Sequence, residues 1–154
     1  MDAESLGDEL NFLLATETHG LVSHLHEAAP YLNTLTFAIW PDIQGMVAAS
    51  TDHARRLSLL LDQLEQPSSP SVFEPSVAQF HYTDLGHLLP LLVEEHRYQV
   101  AAYQRSIEHA DSDSSIQGVV DELVGLLGDK QEELERLEQH HRKLAGGTPL
   151  AKRG

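Results

Sequence analysis

At about 100° per residue, the apolar positions of this chain fall into four stripes of helical period. Leu6, Leu10, Leu13, Leu14, Leu21 and Ala28 share one face of the first, and Met46, Ala49, Leu57, Leu60 and Leu64 share one face of the second. Leu89, Leu92, Val93, Val100, Tyr103 and Ile107 form the third stripe, and Ile116, Val119, Leu123, Leu126, Leu134, Leu137 and Leu144 the fourth. Each stripe needs a partner to cover it, so the pattern predicts an all-α fold, a four-helix bundle with one shared core.

The punctuation between the stripes sets the expected boundaries. The first helix should run from about Ser5 to Ala28, where Pro30 stops it. Tyr31 to Trp40 is expected to cross the end of the bundle before Pro41 opens the second helix as a first-turn proline. That helix should end near Glu65, ahead of Pro67, Ser68, Ser69 and Pro70. The stretch from Pro67 to Thr83 far exceeds the ~2–8 residues that join antiparallel neighbours in a bundle. It suits a long crossover between helices two and three, giving an up-down-down-up order. Thr83 or Asp84 can cap helix three, with Pro90 forcing a kink or a later start. Asp111 to Ser115 reads as a short polar turn into helix four, which Gly146 and Gly147 end. One domain over residues 1–145 and a flexible tail over 146–154 are expected.

Each stripe is interrupted near its middle by ionisable side chains: Glu17, His53, His96, and Lys130 with Glu133. Charged groups are seldom fully buried, and an unpaired one is costly, so a ring of them at mid-height must neutralise itself or hold an ion. Ser50 lies one turn before His53 on the same face.

Composition narrows the partners. Lys+Arg 10 against Asp+Glu 24 gives a formal net charge of -14, which disfavours nucleic-acid phosphate and anionic membrane surfaces. Cys 0 removes disulfides, thiolate nucleophiles and sulfur-ligated metals. The acidic, polar start from Met1 to Glu9 does not read as a signal peptide, and no apolar run spans a bilayer, so a cytoplasmic protein is expected. His 10 in a chain of this size directs attention to metal ligands.

Leu10, Asn11, Leu13, Leu14 and Glu17 resemble the helix-one pattern L-N-x-L-L-x-x-E of the bacterioferritin and rubrerythrin branch of the ferritin-like proteins. His53, Ala54 and Leu57 are similar to that branch's helix-two pattern E-x-x-H-A-x-x-L. The resemblance covers about Leu10 to Glu138, and its second half is one of register and architecture. It implies a ferritin-like bundle in which Glu17 and His53 stand at metal-ligand positions. Against the family's pattern, Ser50 stands where a bridging glutamate is expected, His96 where helix three supplies a glutamate, and Lys130-x-x-Glu133 where helix four has E-x-x-H. Thr51 stands at the position of the bacterioferritin haem methionine, so haem is not expected.

Two readings of the ring stay open. Glu17, His53, His96 and Glu133 form a ligand set suited to one divalent ion such as Fe²⁺, Zn²⁺ or Mn²⁺, with Lys130, Ser50 and Tyr103 around it; a di-iron ferroxidase is not expected. Alternatively Lys130 pairs with Glu17 and Glu133 while the histidines hydrogen-bond to them, and the bundle is a structural or partner-binding module without catalysis. His24, His87 and His141 could converge at one end of the bundle as a second site. Leu91 and Tyr98 with Phe12 and Val22 are the expected face of a homodimer.

Overall fold

The computed structural model describes residues 3–27, 29–68, 84–110 and 116–147. They form five helices: α1 (Ala3–His19), α2 (Leu21–Glu27), α3 (Thr34–Gln63), α4 (Leu85–Ala110) and α5 (Gln117–Gly147). α1 with α2, α3, α4 and α5 supply the four arms of a helical bundle. α1 packs chiefly against α3, and α4 against α5. None of the described helices is long and apolar enough to cross a membrane. Most of the crossover, the turn 111–115 and the tail 148–154 lie outside the described residues.

The expected first helix is broken at Gly20, and the cause lies on α4. The Glu95 carboxylate reaches the backbone N–H of Leu21, 2.8 and 2.9 Å from its two oxygens, and caps α2 from outside the helix. A Cβ on Gly20 would lie 2.5 Å from the Thr16 carbonyl oxygen and 2.8 Å from Glu95 Oε1, so only glycine admits this approach. Burial pushes the Glu95 carboxyl above its ordinary range, and the hydrogen bond from Leu21 opposes this.

The second arm also starts differently. Asn33 caps α3 by accepting from the backbone N–H groups of Leu35 and Thr36, and Thr36 Oγ1 returns a bond to the Asn33 N–H. This capping box starts the helix before Pro41, which sits inside α3. Pro41 and Phe37, whose carbonyl it leaves without a helical partner, are both exposed, so water can satisfy that carbonyl. At the other end Glu65 takes a positive φ of 57°, closing the helix with bonds from Glu65 N to Asp62 O and from Gln66 N to Leu61 O. The Asp84 side chain accepts from His87 N and caps α4 as expected, whereas Pro90 lies within that helix and does not delay its start. α5 runs through Gly146 to Gly147, two residues past the expected domain edge.

The core is two apolar clusters rather than one. Leu6, Leu10, Leu13 and Leu14 meet Leu57, Leu60, Leu61, Ala102, Val119, Leu123 and Leu126 in the first. Leu21, Leu25, Ile43, Met46, Leu85, Leu89, Leu92 and Leu137 form the second. Along every arm, the residues between the two clusters are buried and polar: Glu17; Ser50 and His53; His96 and Gln99; Lys130 and Glu133. The arms hold these residues level because their partners descend in step. From Gly7 to Glu17 the neighbours of α1 fall from Gln66 to Ser50, and along the arm of α1 and α2, from Glu9 to Leu21, the neighbours on α4 fall from His109 to Glu95.

Candidate functional site

The polar layer is closed around the Glu17 carboxylate, which is fully buried. Lys130 Nζ lies 2.8 Å from Glu17 Oε1 and 3.4 Å from Glu133 Oε1. Tyr103 Oη donates to Glu17 Oε2 at 2.8 Å. Ser50 Oγ, with a single proton, stands 2.7 Å from the Glu17 carbonyl oxygen and 3.1 Å from Oε1. His53 Nδ1 is 3.6 Å from Glu17 Oε2, too far for a hydrogen bond, and has no hydrogen-bond partner. All of the sequence-predicted residues therefore gather in one layer, in two linked groups: Glu17, Ser50, His53 and Tyr103 on one side of Lys130, and His96 with Glu133 on the other.

His96 is fully buried, and both ring nitrogens face acceptors: Nδ1 is 3.1 Å from the Leu92 carbonyl oxygen and Nε2 2.9 Å from Glu133 Oε1. The Lys130 ammonium lies between the two carboxylates of the layer, Glu17 and Glu133, and offsets part of their charge.

The electrostatics follow from this enclosure. Burial alone would raise the Glu17 carboxyl, but the Lys130 ammonium and the neighbouring His53 ring outweigh it and hold the group at about 2. Glu133 is likewise lowered, its burial overcome by the hydrogen bond to His96 and the charge of Lys130. Lys130 is raised because the two carboxylates more than offset its desolvation. Burial and then the Glu17 charge push the Tyr103 phenol well above its ordinary value. His53 is raised, with its desolvation outweighed by the Glu17 carboxylate.

Sequence reasoning missed how the layer reaches solvent. His53 Nε2 is 3.2 Å from Asp129 Oδ2, which also takes Arg56 Nη1 at 3.3 Å, and Arg56 Nε in turn donates to Glu122. The signal was present: Arg56 follows His53 by three residues and Glu133 follows Asp129 by four, spacings that put each pair on one flank of a helix.

Among the described residues, no three histidine or carboxylate side chains form a group able to hold a metal ion. The donor chemistry agrees. Glu17 already accepts from Lys130 and Tyr103, so a divalent ion would have to displace the ammonium before it could share that carboxylate. The chain matches no protein-family model, no curated protein and no solved structure.

The remaining expectations fare unevenly. His87 and His141 are exposed and His24 is half-buried, and they form no metal group. Of the four residues expected on a dimer face, Val22 belongs to the core and Phe12 is half-buried, with its ring edge-on to Tyr98 at 6.1 Å. Leu91 is half-buried as well, which leaves Tyr98 as the exposed large hydrophobic residue of that set.

Proposed function

We propose that the chain is a ferritin-like four-helix protein in which the Lys130 ammonium supplies the positive charge a metal would otherwise bring. It serves as a structural or partner-binding module without ferroxidase activity. The observation that carries this reading is the amine 2.8 Å from Glu17 and 3.4 Å from Glu133, buried between carboxylates of two different arms. In a low-dielectric interior two carboxylates need compensating charge, and a lysine fixed by the fold provides it permanently.

The up-down-down-up order is supported by the direction of the cross-helix contacts. Partners fall in number along α1 against both α3 and α4, and the pairs Asp42 with His140, His53 with Asp129 and Arg56 with Glu122 do the same for α3 against α5. A crossover along the bundle is supported by its two ends: Gln66 lies beside Gly7, whereas the Leu85 N–H bonds to the Tyr31 carbonyl near the start of α3.

A second reading, one divalent ion held by Glu17, His53, His96 and Glu133, draws on the buried Nδ1 of His53, which has no hydrogen-bond partner beside Glu17. Elemental analysis of untagged protein purified without chelators separates the two. The ion-pair reading expects no stoichiometric Fe, Zn or Mn, and no rise in melting temperature when any of them is added, since an ion that binds only the native state must stabilise it. About one equivalent per chain, lost in His53→Ala, would overturn it in favour of the metal.

A further inference from the structure

Outside the buried layer, α1 and α4 enclose a groove of about 330 Å³. Asp8, Glu9 and Phe12 of α1 line it together with Tyr98, Arg105 and Ser106 of α4. His109 pairs with Glu9 while Glu95 reaches Leu21, so the arm of α1 and α2 runs opposite to α4. Asp8 and Glu9 stand about one turn before Phe12, and Arg105 about two turns after Tyr98. Both signs of charge therefore share one end of the groove, and the two aromatic rings, edge-on at 6.1 Å, mark the other.

The charged end is incomplete on both sides. Glu9 Oε1 takes His109 Nδ1 at 2.8 Å, but Glu9 Oε2 is buried and has no hydrogen-bond partner among the described residues. A buried acceptor left bare is costly, and a donor in the groove is placed to satisfy it. Arg55, Arg56, Arg97 and Arg136 each lie against a carboxylate, whereas Arg105 is exposed and forms no ion pair among the described residues. An arginine that lines the same groove as Asp8 and Glu9 without pairing to either leaves a carboxylate site beside an ammonium site.

We infer that this groove binds a free α-amino acid with an apolar or aromatic side chain. The ligand's ammonium donates to Glu9, its carboxylate accepts from Arg105, and its side chain lies against Phe12 and Tyr98. Only a ligand with both charges at one end answers both groups: a simple amine leaves Arg105 without an anion, and a simple carboxylate brings a second negative charge to Glu9. The volume is at the small end of the ~300–1,000 Å³ of ligand clefts, which suits a molecule of this size.

The inference concerns a surface groove and not the buried layer, so it can fail without the ion-pair reading and the reverse. Titration of the chain with L-phenylalanine, followed by amide NMR shifts, tests it. Saturable shifts are expected at Asp8 to Phe12 and Tyr98 to Ser106, with a Kd of about 1 mM or tighter. Phenethylamine, which lacks the carboxylate, and 3-phenylpropionate, which lacks the ammonium, should each bind about tenfold more weakly or worse. Glu9→Gln and Arg105→Ala should each weaken phenylalanine by about tenfold or more with helical circular dichroism unchanged, and Arg142→Ala, at an exposed position of α5, should not. No saturable shift up to about 10 mM, or binding indifferent to both groove variants, would overturn it. So would either single-charge analogue binding as tightly as phenylalanine, which would assign the groove to amines or to carboxylates instead.

Discussion

Replacing Lys130 with methionine shortens the side chain by one atom, keeps it unbranched and deletes its charge. The ammonium is 1% exposed and its carboxylate partner Glu17 is buried to the same degree, so solvent cannot take over its role. What remains around Glu17 is the Tyr103 hydroxyl, Ser50 and a histidine nitrogen 3.6 Å away, too little to hold a buried anion. Removing one partner of a buried ion pair costs about 3–5 kcal/mol, most of it the penalty of the charge left behind. Unfolding entropy of about 2.1 cal/mol/K per residue gives ~0.32 kcal/mol/K for this chain, so Lys130→Met should lower the melting temperature by ~9–15 °C. The deficit should grow between pH 5 and pH 8, because Glu17 escapes its penalty by taking a proton and does so more cheaply in acid. Adding Glu17→Gln and Glu133→Gln should restore most of the loss. Thermal melts followed by circular dichroism at the two pH values decide the matter. A single Lys130→Met change that leaves the melting temperature within about 2 °C of wild type would refute the view that this ammonium neutralises the layer.

Three further outcomes follow from the same geometry. Glu17, held at about 2 against an ordinary 4.5, contributes about 3 kcal/mol that is present above pH 4.5 and lost as pH falls toward 2, and Glu133 has the same sign; His53, raised above 6.5, contributes below 6.5 and loses that contribution as pH rises through its shifted value. Urea midpoints against pH should therefore peak between about 4.5 and 6.5, and an acid limb as steep in Glu17→Gln as in wild type would contradict the assignment. Tyr103→Phe removes one hydrogen bond to a buried carboxylate and should cost about 2 kcal/mol by urea denaturation, a neutral effect counting against the bond. Gly20→Ala should displace Glu95 from the α2 N-terminus at a cost of about 1–3 kcal/mol, and amide exchange at Leu21 should speed up; unchanged exchange there would show that the glycine is incidental.

The periodicity of leucines made the four arms and the mid-height ring legible, because both depend on angles along a single helix. Every residue singled out for the ring, from Glu17 to Glu133, lies in the buried layer. Features that depend on a neighbour were less visible. The break at Gly20 is set by Glu95, distant in sequence, and cannot be seen in the local pattern around Leu21. Asn33 and Thr36 did carry a local capping signal, and it outweighs Pro41 because an early capping box satisfies three backbone N–H groups while an exposed proline leaves only a hydrated carbonyl. The division of the ring into a Glu17 group and a Glu133 group, linked by Lys130, depends on distances that no helical wheel supplies.

A polar layer between two leucine cores also restricts how the arms can slide. If the bundle were apolar along its length, one helix could shift by a turn, about 5.4 Å, and still meet leucine with leucine. Here the same shift would carry Lys130 or His96 into the apolar clusters on either side and leave Glu17 facing hydrocarbon. The layer acts as an index mark: of the near-equivalent alignments four amphipathic helices could adopt, it admits the one in which all four marks coincide.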